Sequence, residues 1–167
     1  MNKNGNFGFI PQEHVRAALE PSFDRISRAY GELFSGYGLS AEHILNETVK
    51  TANYTGWVKV EKISFYTFCE HHFLPFFGTA DVSYRPGEVI TGLGKIVRLV
   101  RDVHARRLQI QEIMAKDIAE DMMRVLGAKG VHVVLRAKHL CMCSRGPSDD
   151  NSETQVTYSI GEPYPTS

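Results

Sequence analysis

The stretch FCEHHF, Phe68 to Phe73, sets one thiol, one carboxylate and two adjacent imidazoles between aromatic residues. A second cluster, KHLCMC from Lys138 to Cys143, adds His139, Cys141 and Cys143. A catalytic zinc ion takes three protein ligands from Cys, His and carboxylate and keeps a fourth position for water. The two clusters together offer more than three such groups, so some can hold a metal while others move protons. Two residues separate Cys69 from His72, a spacing that lets a turn close round one ion and leaves His71 free as an acid or base. Glu70 either orients an imidazole from behind or faces solvent, and its position in the sequence leaves both open. Cys143 is read as a small buried hydrophobe.

Other stretches carry weaker signals. GLGK, Gly92 to Lys95, lacks the spacing of a phosphate-binding P-loop and taken alone is a loop entering a helix. Lys95 and Arg98 nevertheless fall one turn apart at that helix's N-terminus, where free amides and the dipole favour anions. Arg25 and Arg28 sit three apart on an earlier helix, an arrangement that usually means a solvated face. In RRLQIQE, Arg106 to Glu112, the pair Gln111 and Glu112 opens a long helix; a carboxylate beside an amide is also what reads a guanine edge.

The elements that must position these groups follow from composition and periodicity. A chain of 167 residues favours one domain with its own core. Lys plus Arg and Asp plus Glu both total 19, so no global field attracts nucleic acid or an anionic membrane, and any anion site must be a local pocket. No run approaches the roughly 18 apolar residues of a membrane span, and the start MNKNGNFGFI has neither a basic segment nor a continuous apolar one. The chain therefore reads as cytoplasmic. Three cysteines, an odd number, argue for metal ligation or catalysis over a disulfide framework.

Residues 1–20 read as an N-terminal arm or short helix. Pro21 suits a first helical turn, and Phe23, Ile26, Tyr30, Leu33 and Phe34 recur at helical spacing until Gly36. Two runs rich in β-branched and aromatic residues, Trp57 to Phe68 and Phe76 to Tyr84, predict antiparallel strands joined by the CEHH stretch. A helical period follows: Ile96, Val97, Val100 and Val103, then Leu108, Ile113, Met114, Ile118, Met122, Val125 and Leu126, closed by the glycines of LGAKG. A third strand spans about Val131 to His139, with Val131, Val133, Leu135 and Ala137 on one face, and a last strand runs from about Thr154 to Ile160. The order ββααββ, after an N-terminal helical region, defines an α+β fold: a four-stranded antiparallel sheet with two helices on one face. Such a sheet has open edges, and pairing between subunits removes them.

Taken in order, FCEHHFLPFFG at 68–78, GLGKIVRLV at 92–100, RRLQIQE at 106–112 and HLCMCSRG at 139–146 resemble the GTP cyclohydrolase I family, of the tunnelling fold. The resemblance covers about residues 21–160, a catalytic domain followed by a tail at 161–167 in what reads as a single domain. It implies zinc held by Cys69, His72 and Cys141, with His71 and His139 as the acid/base pair. Glu112, helped by Gln111, would anchor the guanine amidine edge. Lys95, Arg98 and Arg145 match the family's triphosphate positions, and Arg25 and Arg28 fall where the family has a basic pair with the same task. The implied reaction opens the imidazole ring of GTP at C8, releases formate and rearranges the product to 7,8-dihydroneopterin triphosphate. The implied assembly is a homo-oligomer, a decamer of two pentamers with sites at subunit interfaces. Gly94 stands where the family's GLSK has serine, a residue associated with the ribose-side steps. Gly94 keeps open one alternative, a paralogue that stops at the ring-opened formamidopyrimidine or uses another guanine nucleotide; a separate alternative, of a different class, is a catalytically silent protein that binds zinc or nucleotide. Zinc deaminases match poorly, because Cys141 and Cys143 form C-x-C with no preceding proline.

Overall fold

The computed structural model describes residues 10–51 and 53–165. Residues 1–9 of the expected arm lie outside them. The chain divides into two compact units, one ending at Leu33 and the other beginning at Phe34.

The first unit carries α1 (Gln12–Leu19) and α2 (Phe23–Leu33), joined by a 3-10 turn, Glu20–Ser22, into which Pro21 fits because its fixed φ suits a helical start. Neither helix buries a residue, and Phe23 is 67% exposed despite the apolar stripe that the sequence shows.

The second unit is built on a sheet. After the short α3 (Ala41–Ile44), capped by the Ser40 hydroxyl, come β1 (Thr48–Lys50), β2 (Val58–Cys69), β3 (Pro75–Arg85) and β4 (Val89–Thr91). The helical turns α4 (Leu93–Arg98) then lead to β5 (Leu108–Gln109), α5 (Gln111–Leu126), β6 (Gly130–His139), the single turn α6 (Leu140–Cys143) and β7 (Thr154–Gly161). The four expected strands pair antiparallel in the order β2-β3-β6-β7. The helices pack on one face. Met114, Ile118 and Met122 of α5 share a core with Phe65, Ala80, Val82, Tyr84, Val133 and Leu135 of the strands. Each fully buried large side chain there contributes about 1.5–3 kcal/mol of hydrophobic stabilisation. As expected, α5 ends in a left-handed glycine: Gly127 has φ 58°.

Three features differ from the sequence reading. Leu108 is not helical: with Gln109 it forms β5, a fifth strand paired parallel to Phe68 and Cys69. The reason is tertiary, since the Arg107 carbonyl accepts from the Thr67 hydroxyl at 2.8 Å and the Gln109 carbonyl from the Glu70 N–H at 3.0 Å. The first of the two helices is short, and residues Leu99–His104 continue it as a π-helical segment in which the Ala105 N–H donates to the Val100 carbonyl five residues back. Finally, β1 and β4 form a separate two-stranded sheet, Thr48 opposite Thr91, that no period-2 pattern announced.

Strand parity sets the site. On β2 the buried positions are Ile63, Phe65, Thr67 and Cys69; on β6 the run Val131, Val133, Leu135 and Ala137 is buried and His139 continues it. Because successive side chains alternate faces, Cys69 and His139 finish their strands on the helix-covered side.

Candidate metal and catalytic site

The turn carrying Glu70 to Leu74 joins β2 to β3 and is fixed by its backbone. The Phe73 N–H donates to the Cys69 carbonyl and the Cys69 N–H to the Leu74 carbonyl, both at 2.8 Å. Phe73 has φ 55°, a left-handed conformation that costs a bulky residue about 1–2 kcal/mol. Its ring is held by two others: the centroids of Phe34, Phe68 and Phe73 lie 5.4 to 5.7 Å apart in all three pairings. Aromatic pairs of this geometry are worth about 0.5–1.5 kcal/mol each, enough to offset the strain. The phenylalanines flanking CEHH thus lock the turn.

Within it, Cys69 is buried and its sulfur lies 3.7 Å from His72 Nδ1. Cys141, brought over by α6 immediately after β6, completes a group whose ligand atoms all lie within 4.8 Å of one another. Two thiols and one imidazole at this separation suit a soft, tetrahedral divalent ion with one open position. Burial, and then the neighbouring Cys69 thiol, push the Cys141 thiol pKa up, while Arg145 pulls the other way. A thiol placed as Cys141 is resists ionisation until a cation compensates it, which is the behaviour of a metal ligand. Cys143 is half-buried, not the core residue that was expected, and among the described residues it is outside this group. Glu70 is exposed, which favours the solvent-facing alternative.

His139 lies beside the group. Its ring stacks on Phe76, the residue opposite it in the β3–β6 ladder, and its Nε2 lies 2.8 Å from Gln111 Oε1. Burial lowers the imidazole pKa, and the nearby Glu112 carboxylate opposes that shift. Gln111 is 3% exposed and engaged by protein on every side, whereas Glu112, next to it on the first turn of α5, is exposed. His71 is exposed, its ring centroid 6.2 Å from that of His72 and inclined by 80°, and it is not part of the Cys69, His72 and Cys141 group.

The cationic residues belong to several separate elements. The Lys95 ammonium lies 3.3 Å from Glu47, and Arg98 pairs with Asp102 one turn along at 3.1 Å. Arg145 is exposed just beyond α6. Arg25 and Arg28 belong to the first unit, where they bond locally to the Ser22 hydroxyl and the Asp24 carbonyl. Sequence reasoning missed Phe76 and Thr154, since an aromatic at a strand start and a threonine at a strand start carry no signal by themselves.

Fold and site together define a tunnelling-fold protein with a metal-competent Cys/His/Cys group. A solved structure described as archaeosine synthase QueF-Like in the apo form superimposes with a TM-score of 0.51 at 15% identity, covering 67% of this chain and 100% of that one, which speaks for the fold alone. The profile of GTP cyclohydrolase I matches residues 7–164. GTP cyclohydrolase 1 of Leptospira biflexa is 42% identical over 152 residues, 91% of this chain and 82% of that protein. GTP cyclohydrolase 1 of Campylobacter jejuni is 45% identical over 148 residues, 89% of this chain and 77% of that protein. The chain belongs to the GTP cyclohydrolase I family, a family of hydrolases. Among its described residues no helix is long and apolar enough to cross a membrane.

Proposed function

We propose that this chain is a zinc-dependent GTP cyclohydrolase I that opens the imidazole ring of GTP at C8, releases formate and yields 7,8-dihydroneopterin triphosphate. The observation that carries the reading is the convergence of Cys69, His72 and Cys141, from two strand ends 69 residues apart or more, beside an oriented His139. Those three residues would hold the ion. Once bound, zinc supplies Lewis-acid activation of water at neutral pH. His139 protonates the imidazole nitrogen of the purine as the C8 bond is hydrolysed, and the lowered basicity that burial gives its ring makes it a readier donor once protonated. His71, exposed on the turn, shuttles protons in the ribose opening and ring closure. Glu112 anchors the guanine amidine edge, with Gln111 helping. Lys95, Arg98, Arg145, Arg25 and Arg28 neutralise the triphosphate.

The proposal includes a homo-oligomer, a decamer of two pentamers with sites shared between subunits. Two observations support association: among the described residues the outer edge of β7 has no partner strand, and β5 covers only Phe68 and Cys69 of the outer edge of β2. A shared site also accounts for basic residues that lie on several separate elements.

The test is product identification by mass spectrometry after incubation of the zinc-loaded protein with GTP. Formate together with dihydroneopterin triphosphate is the expected result. Formate with a ring-opened formamidopyrimidine and no pterin would support the second reading, a paralogue that stops early, for which Gly94 is the motivating residue; no turnover of any guanine nucleotide would overturn both.

A further inference from the structure

We infer that Gln111 and Thr154 are positioning residues for His139: together they keep its hydrogen on Nε2 and leave Nδ1 as the nitrogen that meets the substrate. The inference deepens the proposed function and rests on His139 being the proton donor there.

Hydrogen-bond inventory carries it. The Gln111 side-chain nitrogen lies 3.0 Å from the Leu135 carbonyl and 3.4 Å from the Thr154 carbonyl. Both partners can only accept, so they decide which end of the amide is nitrogen. The other end, Oε1, must then accept from whatever faces it. Two groups do: the Thr154 hydroxyl at 2.6 Å and His139 Nε2 at 2.8 Å. A neutral imidazole carries one N–H, and an amide oxygen at hydrogen-bond distance requires it at Nε2. The bare nitrogen is Nδ1, which takes up a proton from solvent to give the imidazolium before it donates to the substrate, while Nε2–H stays on Gln111.

The ring is held in its plane as well. Phe76 lies parallel to it, with centroids 4.3 Å apart and an interplanar angle of 5°. With one face covered and one nitrogen tethered, rotation about the ring's bond to Cβ would break the bond to Gln111 or the stack. Thr154 secures the other side of the amide. It is paired with Ala137 in the β6–β7 ladder, and its hydroxyl oxygen is 3.0 Å from the Ala137 carbonyl. Its single hydrogen is shared between that carbonyl and Gln111 Oε1, with the shorter contact to the amide. Both N–H groups and both lone-pair directions of Gln111 are thereby engaged within a residue 3% exposed. Withdrawing such an amide to read a guanine edge would leave buried polar groups unpaired. The help that Gln111 gives Glu112 is thus indirect: it aims the histidine and leaves the base to the carboxylate.

Three substitutions test this on the zinc-loaded, assembled protein. Gln111→Met keeps the volume and removes every hydrogen bond; Thr154→Val keeps the shape and removes the hydroxyl; Thr154→Ser restores it. The expected result is that Gln111→Met lowers kcat about 10- to 100-fold with KM for GTP within about twofold, a magnitude carried over from partners that orient metal-binding histidines. Thr154→Val should lose less, and Thr154→Ser should recover most of that loss. Zinc content should stay at the wild-type level. A rise in KM with kcat unchanged would overturn the inference in favour of direct guanine reading, as would equal behaviour of the valine and serine variants. A second readout is independent of turnover. Nitrogen-15 NMR of histidine-labelled protein, with the His139 signals assigned by their loss in His139→Ala, should show hydrogen on Nε2 in wild type and a mixture of tautomers in Gln111→Met. Hydrogen on Nδ1 in wild type would overturn the inference even if GTP is turned over. Hydrogen on Nε2 in a protein that leaves GTP intact would instead sink the proposed function and keep the positioning.

Discussion

The rings of Phe76 and His139 lie parallel, 4.3 Å apart, as direct neighbours across the β3–β6 ladder. Phe76 is fully buried, so one strand residue joins the hydrophobic core to the histidine at its rim. Phe76→Leu should retain the fold at a cost of about 1 kcal/mol and lower kcat several-fold through a looser imidazole. Phe76→Ala should cost about 3–5 kcal/mol. Urea unfolding beside steady-state kinetics separates the two losses; a leucine variant of full activity would show that the stack does not orient His139.

Metal content divides the ligands from the proton carriers. Cys69→Ser and Cys141→Ser should lose bound zinc, measured by elemental analysis of the dialysed protein, together with activity. His139→Ala should keep zinc near one ion per chain and lose at least about 100-fold in rate. Zinc lost equally from His139→Ala would mean that the histidine holds the metal.

Gly94 is open to enlargement. A Cβ built there meets nothing within 4 Å and the residue is exposed, so Gly94→Ser should fold normally and gain up to about 0.5 kcal/mol from helix propensity. If Gly94 limits the later chemistry, the serine variant should raise the yield of pterin per formate released. An unchanged ratio would remove Gly94 as the reason for any early stop.

Asp81 supplies a pH dependence remote from the metal group. Its carboxylate accepts the Lys62 N–H at 2.8 Å, at a bulge where Lys62 has φ 56°, and pairs with Arg136 at 2.7 Å. Burial works to raise its pKa, but the Lys62 N–H and the Arg136 guanidinium outweigh it and hold the pKa below the ordinary value. A depressed carboxylate stabilises the fold above its unfolded pKa of about 3.9, and that stability is lost as pH falls through the lower folded value. Asp81→Asn should therefore destabilise by about 1–3 kcal/mol at pH 7, with the difference from wild type shrinking below about pH 4. Denaturant melts at pH 7, 5 and 3.5 check it; a constant difference would assign the loss to the bulge geometry alone.

The legible parts of the fold were those written in a local period. The alternation of Val131, Val133, Leu135 and Ala137, the three-four spacing of Met114, Ile118 and Met122, and the glycine after Leu126 each report a burial pattern that one element must satisfy by itself. The spacing of Cys69 and His72 was equally local, because a turn of that length can close round one ion. β5 and the β1–β4 pair were not legible. Two or three residues have no period, and their backbone groups are claimed by strands many positions away.

The sequence by itself determined which residue types were available, how the strands and helices follow one another, and that the Cys/His clusters fall at strand ends. Only the tertiary structure decided that Cys141 joins Cys69 and His72 while Cys143 does not, and that Gln111 turns inward to His139 and Thr154. The physical reason is that both outcomes depend on strand register. Pairing Phe76 with His139, and Thr154 with Ala137, fixes which side chains meet over the core, and register is a property of two strands together.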